Sequence, residues 1–376
     1  MKPTQLFYLF HVPNQTYNIH FHNMRKHVYF IYVLMLGFSA CIIPLEPIKP
    51  TSLSSDILWK PVSGFSSEPL IRSIYATPTD LLVISDNQFS RFDMLMNLQE
   101  KRVLPNDRQL YGLPVLSDNT FMRVVQNTDN KQMLEFRSTR NNTEIKRVLT
   151  TDLVDTLKKE AFQIDVLART PGCYSADGTK YLVTGVVYPL YKPTAFILDV
   201  QLNFSATGFV SILPVQRIEI PNLGTDGRVE SCKFLEGSFY LATKDGGYRI
   251  SLDGQVRKLF PEWVLNFFEY KGKLYATGFN AYDFYVSTDL GATWKRNSKP
   301  GDLRYVVTTG DKVFSQTVRG LPYSMADTTL AKSLDIKYNT DFTTDRDAYY
   351  DIAFFRNKYI INVGKLLYSA DTVTTK

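Results

Sequence analysis

Residues Ser287-Thr288-Asp289-Leu290-Gly291-Ala292-Thr293-Trp294 follow the pattern S-x-D-x-G-x-T-W at every fixed position. Such a segment dictates a rigid turn between two strands. Phe284-Tyr285-Val286 leads in with strand-type residues and Thr293-Trp294-Lys295 leads out. Ser287 and Asp289 are the residue types that hydrogen-bond loop amides and lock a turn. Gly291 permits a backbone angle closed to other residues. Trp294 supplies a large apolar face to cover the end of the hairpin.

A period of about 35–45 residues runs through the rest of the chain, as in repeat folds. Cys173-Tyr-Ser-Ala-Asp-Gly178-Thr-Lys-Tyr181-Leu182-Val-Thr184 lies without a gap over Cys232-Lys-Phe-Leu-Glu-Gly237-Ser-Phe-Tyr240-Leu241-Ala-Thr243. Each reads as a strand, a tight turn and a second strand. The same unit recurs at Tyr270–Tyr275, Thr309–Phe314 and Arg356–Ile361. Inner-strand pairs are expected near 70–85, 108–126, 164–188, 228–243, 265–279, 303–318 and 348–363. Worn copies of the turn appear at Ser251-Leu252-Asp253-Gly254 and at Ser369-Ala370-Asp371, close to the chain end.

The Ser287–Trp294 motif resembles the Asp-box of sialidase-like β-propellers. The resemblance implies an all-β propeller of four-stranded blades over residues 55–376, with Ser287, Asp289, Gly291, Thr293 and Trp294 as a structural turn between third and fourth strands. The repeat count gives seven blades, with six and eight the neighbouring counts. Because the chain stops where a last outer strand should begin, Asp56–Pro61 is expected to supply that strand and close the ring. Cys173 and Cys232 then fall on innermost strands of adjacent blades. They are expected as free buried thiols, with a disulfide as the alternative. Thr151–Phe162 breaks the pattern and reads as one short amphipathic helix.

The N-terminal part is of a different kind. Arg25-Lys26 precedes an apolar run from Val28 to Phe38, and Ser39-Ala40-Cys41 follows. This resembles a bacterial signal region with a lipobox, with Phe38 departing from the usual leucine. It implies a signal over residues 1–40, a start at Met24, lipidation of Cys41, and a Pro- and Ser-containing tether over 41–54. The whole resembles the exported lipoproteins of the Bacteroidota type. The implied place is the cell envelope, an outer-membrane lipoprotein facing the periplasm, with surface exposure as the alternative.

All four histidines, His11, His20, His22 and His27, precede Cys41. A mature chain without histidine lacks Ser–His and Cys–His nucleophile pairs and most zinc sites. The same removal lowers the formal charge from +6 to +3, because residues 1–40 hold Lys2, Arg25 and Lys26 and no acidic residue. Neither nucleic acid, a metal nor a cofactor is therefore expected. The arginine triad, Arg-Ile-Pro motif and Tyr–Glu pair of sialidases have no match; Arg217-Ile218-Glu219-Ile220-Pro221 is the nearest string and is wrongly spaced. Catalytic residues remain unassigned. Arg72, Arg108, Arg169, Arg228, Arg304 and Arg346 recur near the starts of inner strands and are the candidate ligand-binding residues, with Tyr111, Tyr305 and Tyr349 as aromatic platforms. The expected function is non-catalytic binding of a glycan, peptide or envelope protein. The alternatives are a polysaccharide hydrolase using two carboxylates and a structural part of an envelope complex.

Overall fold

A computed structural model describes residues 55–56, 60–62, 70–104, 108–109, 114–140, 145–154, 159–164, 170, 172–189, 191–203, 209–221, 229–279, 283–297, 303, 305–309, 312–316, 323–326, 330, 333–334, 336–337, 351–363 and 365–371. Strands make nearly all of their regular structure, arranged as antiparallel meanders of four or five strands. Sheet 1 runs Ile71–Ala76, Leu81–Ser85, Gln88–Phe92 and Leu98–Val103. Sheet 2 has Arg108–Gln109 and Val115–Leu116 on one edge, followed by Thr120–Gln126, Gln132–Ser138 and Ile145–Leu149. In sheet 3 Ala161–Ile164 and Gly172–Tyr174 share an edge, followed by Lys180–Tyr188, Lys192–Asn203 and Phe209–Glu219.

Sheet 4 comprises Val229–Leu235, Ser238–Thr243, Gly246–Ser251 and Val256–Phe260. Sheet 5 comprises Val264–Tyr270, Lys273–Gly278, Phe284–Ser287 and Lys295–Asn297. Sheet 6 comprises Tyr305–Thr309, Lys312–Gln316, Tyr323–Ala326 and Ser333–Leu334. Sheet 7 comprises Ile352–Phe355, Lys358–Val363 and Leu366–Asp371, with Lys60–Pro61 on its outer edge. There Lys60 lies opposite Ser369 and Pro61 opposite Tyr368, and the Val62 amide bonds the Leu367 carbonyl at 2.9 Å. Ser55–Asp56 pairs in parallel with Ile336–Lys337. The architecture is an all-β propeller with four-stranded blades.

Burial explains why the sheets stack. The middle strands are apolar on both faces: Leu81–Ser85 is buried throughout, as is Ser238–Thr243. A sheet buried on both faces needs a neighbour on each. Phe136, Tyr181 and Leu198 fill the seam between sheets 2 and 3, and Leu182, Phe239 and Tyr248 that between 3 and 4. Phe260, Phe267 and Tyr285 join 4 to 5, and Phe268, Phe284 and Val313 join 5 to 6. Phe314 meets Tyr359 edge-on between 6 and 7, with ring centroids 5.2 Å apart. Ile74, Val83 and Phe355 lie between 7 and 1, and Phe89 stacks on Phe121 between 1 and 2.

Two expectations are corrected. The helix expected over Thr151–Phe162 is a single 3₁₀ turn at Thr150–Leu153, and Phe162 lies in a strand opposite Val187. The apolar spacing that imitates a helix here fills the seam between sheets 2 and 3 instead, through Leu153 and Phe162. Cys173 and Cys232 are not free thiols but form a disulfide, with Cα atoms 5.6 Å apart. They do lie on neighbouring inner strands. Adjacent sheets converge there, so equivalent positions come within bridging distance. The signal region, Cys41 and the 41–54 tether lie outside the described residues.

The bridge closes a loop with a sequence separation of 59. Loop-closure entropy puts its contribution at about 4 kcal/mol. Cys173→Ser with Cys232→Ser should therefore lower the unfolding free energy by about that amount, read as a lower denaturant midpoint. A midpoint within error of the parent protein would show that the bridge adds nothing.

Candidate binding site in the central cavity

Innermost strands are edge strands, with one row of backbone groups unpaired within their own sheet. Here those edges turn toward a common cavity of about 530 Å³. Ser73, Ser117, Cys173, Lys233, Asn266, Thr308 and Asp351 line it, one from each successive sheet. The remaining lining mixes aliphatic and aromatic groups such as Ile74, Val115, Phe234 and Phe354.

Polar side chains at the strand starts cross from sheet to sheet. Thr170 Oγ1 accepts the Cys232 amide at 3.1 Å. Ser231 Oγ donates to the Leu265 carbonyl at 2.9 Å, and Asn266 Nδ2 donates to the Val306 carbonyl at 2.6 Å. Asp351 Oδ2 accepts Ser73 Oγ at 3.0 Å and the Ile74 amide at 3.1 Å, while its Oδ1 accepts the Ile352 amide at 3.0 Å. Asn362 Nδ2 reaches the Ile71 carbonyl at 3.3 Å. Thus residues of sheet 7 hold sheet 1. Ladder irregularities sit at equivalent places, between Ile71 and Ser73, Val229 and Ser231, and Val264 and Asn266. The extra residue of a bulge re-aims the next side chain, and in each case that next residue is a polar one that bonds a neighbouring sheet or its Asp351 clasp.

Charge in the cavity is sparse. Among the described lining residues the charged side chains are Lys233 and Asp351. Burial pushes the Asp351 pKa up, against the pull of its bonds from Ile74 and Ser73 and of the Lys233 charge. Tyr75 lines the same cavity and donates to Asp118 at 3.2 Å; burial first, then the Asp118 charge, push its pKa up to about 12. It stays a neutral hydrogen-bonding phenol at physiological pH. Asp351 already receives several donors and acts as a clasp between sheets.

Of the candidate arginines, Arg72 sits at the sheet 1 bulge, half-buried and ion-paired with Asp86. Arg108 lies in an inner-edge strand opposite Gln126. Arg169, Arg228, Arg304 and Arg346 lie outside the described residues, as do Tyr111 and Tyr349, and of Tyr305 only the backbone is described. The two candidate arginines that are described thus sit at the inner strands of neighbouring sheets 1 and 2. Arg217 lies on the outer strand of sheet 3, paired with Glu160 at 2.6 Å.

The Ser287–Trp294 turn lies between the third and fourth strands of sheet 5, and none of its residues lines the cavity. Ser287 Oγ donates to Asp289 at 2.7 Å and accepts the Gly291 amide at 2.8 Å. Asp289 accepts the Thr293 amide at 2.8 Å and its hydroxyl too. Gly291 has φ +83°, and a Cβ there would meet the Tyr240 hydroxyl at 2.2 Å. Trp294 packs edge-on against Phe260 and Phe267, and so seals the seam between sheets 4 and 5. The same knot recurs at Ser251 and Asp253 in sheet 4, where the Gln255 amide bonds Ser251 Oγ at 3.0 Å. It also recurs at Ser175, Asp177 and Thr179, in the turn between the first and second strands of sheet 3.

No protein-family model matches the chain, and no curated protein matches its sequence. Among solved structures it is similar to the AfRom2 CNH domain, with 10% identity, 86% of this chain and 99% of that one covered, and a TM-score of 0.49. It is also similar to the Pan2 WD40 domain of Neurospora crassa, with 9% identity, 84% and 96% covered, and a TM-score of 0.48. A third is PorZ, a surface component of the type-IX secretion system of Porphyromonas gingivalis, with 9% identity and a TM-score of 0.47. There 84% of this chain is covered, but only 39% of PorZ.

Two substitutions check the roles assigned here. Asp351→Ala strands the Ser73 hydroxyl and the Ile74 amide, and should lower stability by about 3 kcal/mol in urea unfolding. An unchanged midpoint would refute the clasp. Bonds from the Thr293 hydroxyl and amide and from Ser287 lower the Asp289 pKa from 3.8 to about 2. A depressed carboxylate stabilises the fold above its unfolded pKa and loses that contribution as pH falls through the folded one. Asp289→Asn should accordingly flatten the acid limb of the stability curve between pH 3.8 and about 2. Unchanged steepness there would remove Asp289 from the turn's energetics.

Proposed function

We propose that this protein is an exported lipoprotein, anchored through Cys41, whose propeller binds a glycan, peptide or protein partner at its central cavity without catalysis. The observation that carries the binding part is the cavity of about 530 Å³, to which all the successive sheets contribute inner-strand edges, hydroxyls and amides. Volumes of this size suit a ligand of a few sugar or amino-acid residues. A two-carboxylate hydrolase is less well supported: the described lining offers one carboxylate, Asp351, and neighbouring sheets occupy it. In this reading the turn of Ser287–Trp294 is an Asp-box, the ring has seven blades, and Lys60–Pro61 is its closing outer strand.

Export is supported by the Cys173–Cys232 disulfide, since such bonds form and persist in oxidising compartments. The apolar run before Cys41 fits the same route.

A paired experiment tests both parts. In cells fed labelled fatty acid, the full chain should incorporate label and Cys41→Ala should not; label retained by that variant would sink the anchor. The purified protein should bind a subset of an oligosaccharide and peptide array. Thr308→Trp, which fills the cavity from sheet 6, should weaken that binding on the order of tenfold or more, at unchanged melting temperature. Equal binding by the filled variant would move the site elsewhere.

A further inference from the structure

The central cavity has aromatic walls set at matching places. Phe234 of sheet 4 and Phe354 of sheet 7 each precede the last residue of an inner strand. Behind each stands a ring directly opposite on the next strand. Phe239 backs Phe234 with ring centroids 4.9 Å apart, and Tyr359 backs Phe354 at 5.0 Å. Both phenylalanines are half-buried and line the cavity, from sheets that sheets 5 and 6 separate. Tyr75 of sheet 1 adds a third ring, fixed by its bond to Asp118 at 3.2 Å. Rings held in this way offer flat apolar surface without loss of rotamer freedom.

Hydroxyls in the lining have one function used and another left. Ser73 and Ser231 donate their protons, to Asp351 and to the Leu265 carbonyl, and keep lone pairs that accept. Thr170 accepts the Cys232 amide and keeps its proton to donate. Backbone donors at the strand edges are spent instead. Ile74, Cys232 and Ile352 each follow a polar residue on an inner strand, and their amides go to Asp351 Oδ2, Thr170 Oγ1 and Asp351 Oδ1. Ser231 and Asn266 take the Leu265 and Val306 carbonyls. An extended peptide binds a sheet edge through such amides and carbonyls, and here they already have partners. Charge gives no handle either. Lys233 and Asp351 balance in sign among the described lining residues, and Asp351 already receives donors from two sheets.

From these features we infer that the central cavity binds a short uncharged oligosaccharide, with its pyranose faces against Phe234 and Phe354 and its hydroxyls on Ser73, Thr170 and Ser231. A sugar hydroxyl both donates and accepts, so it suits either kind of partner left in the lining. The C–H faces of a pyranose stack on aromatic rings and need no charge to do so. The inference rests on the cavity being the binding site, and names which of the ligand classes it takes.

The test is binding of the full chain to three sets of immobilised probes. The first holds uncharged trisaccharides, namely cellotriose, xylotriose, maltotriose and chitotriose. The second holds trigalacturonic acid and sulfated trisaccharides, and the third end-capped uncharged peptides. At least one uncharged trisaccharide should bind, the other two sets should not, and a several-fold rise in salt should leave the affinity unchanged. Phe234→Leu and Phe354→Leu keep apolar volume but lose the flat face, and each should weaken that binding on the order of tenfold. Capture of acidic sugars or peptides alone, with loss in Thr308→Trp, would overturn the inference and leave the cavity as the site. Uncharged sugar bound equally by Thr308→Trp would overturn both. Failure of every uncharged trisaccharide to bind, or parent-like affinity in both leucine variants, would also overturn the inference.

Discussion

Everything in this molecule depends on satisfying the inner edges of its sheets. A strand that borders a cavity has backbone groups its own sheet cannot pair, and burying them unpaired is unfavourable. The protein answers with short polar side chains reaching across from the next sheet: Thr170, Ser231, Asn266 and, most heavily bonded, Asp351. Each serves two purposes, since the bond that satisfies an edge also fixes the distance to the neighbour. The cavity is the space those bonds leave, and its sparse charge follows from most of them being made by hydroxyls and amides, with Asp351 the one carboxylate among those named.

Apolar packing supplies the bulk of the adhesion, and its pieces differ from seam to seam. Aromatic rings dominate between sheets 4 and 5, where Trp294 from a turn joins Phe260 and Phe267. Between sheets 3 and 4 a covalent bond joins aliphatic and aromatic packing. Between sheets 1 and 2 an apolar cluster around Phe89 and Phe121 shares its strands with arginines, among them Arg123, which pairs with Glu135. A repeat fold tolerates this variety because each seam needs only to be complementary to itself.

The strand pairs and the knotted turn were legible in the sequence, because both rest on local rules. Alternation around Tyr270-Lys271-Gly272-Lys273 places a hairpin without tertiary information, and the strands Val264–Tyr270 and Lys273–Gly278 flank it. Thr151–Phe162 misleads because spacing at three and four residues also arises when separate segments feed one seam, as Leu153 and Phe162 do. The cysteines mislead because equal register in neighbouring units looks like equal separation everywhere, yet the sheets converge toward the cavity. The edge-satisfying residues carried a faint signal. A polar residue recurs just after an aliphatic strand start in Ile71-Arg72-Ser73, Val229-Glu230-Ser231 and Val264-Leu265-Asn266. Two residues of spacing gave no hint that a bulge turns that side chain outward from its sheet. The candidate arginines share those strand starts, but position along the chain says nothing of where a long side chain ends.

The bridge between Cys173 and Cys232 makes the circle mechanically uneven. Sheets 3 and 4 are welded at their inner margin, while sheets 7 and 1 meet through hydrogen bonds and packing, beside an outer strand of two residues, Lys60–Pro61. Parting sheets 3 and 4 at that margin requires a covalent bond to break, whereas sheets 7 and 1 are held there by bonds that water can replace one at a time.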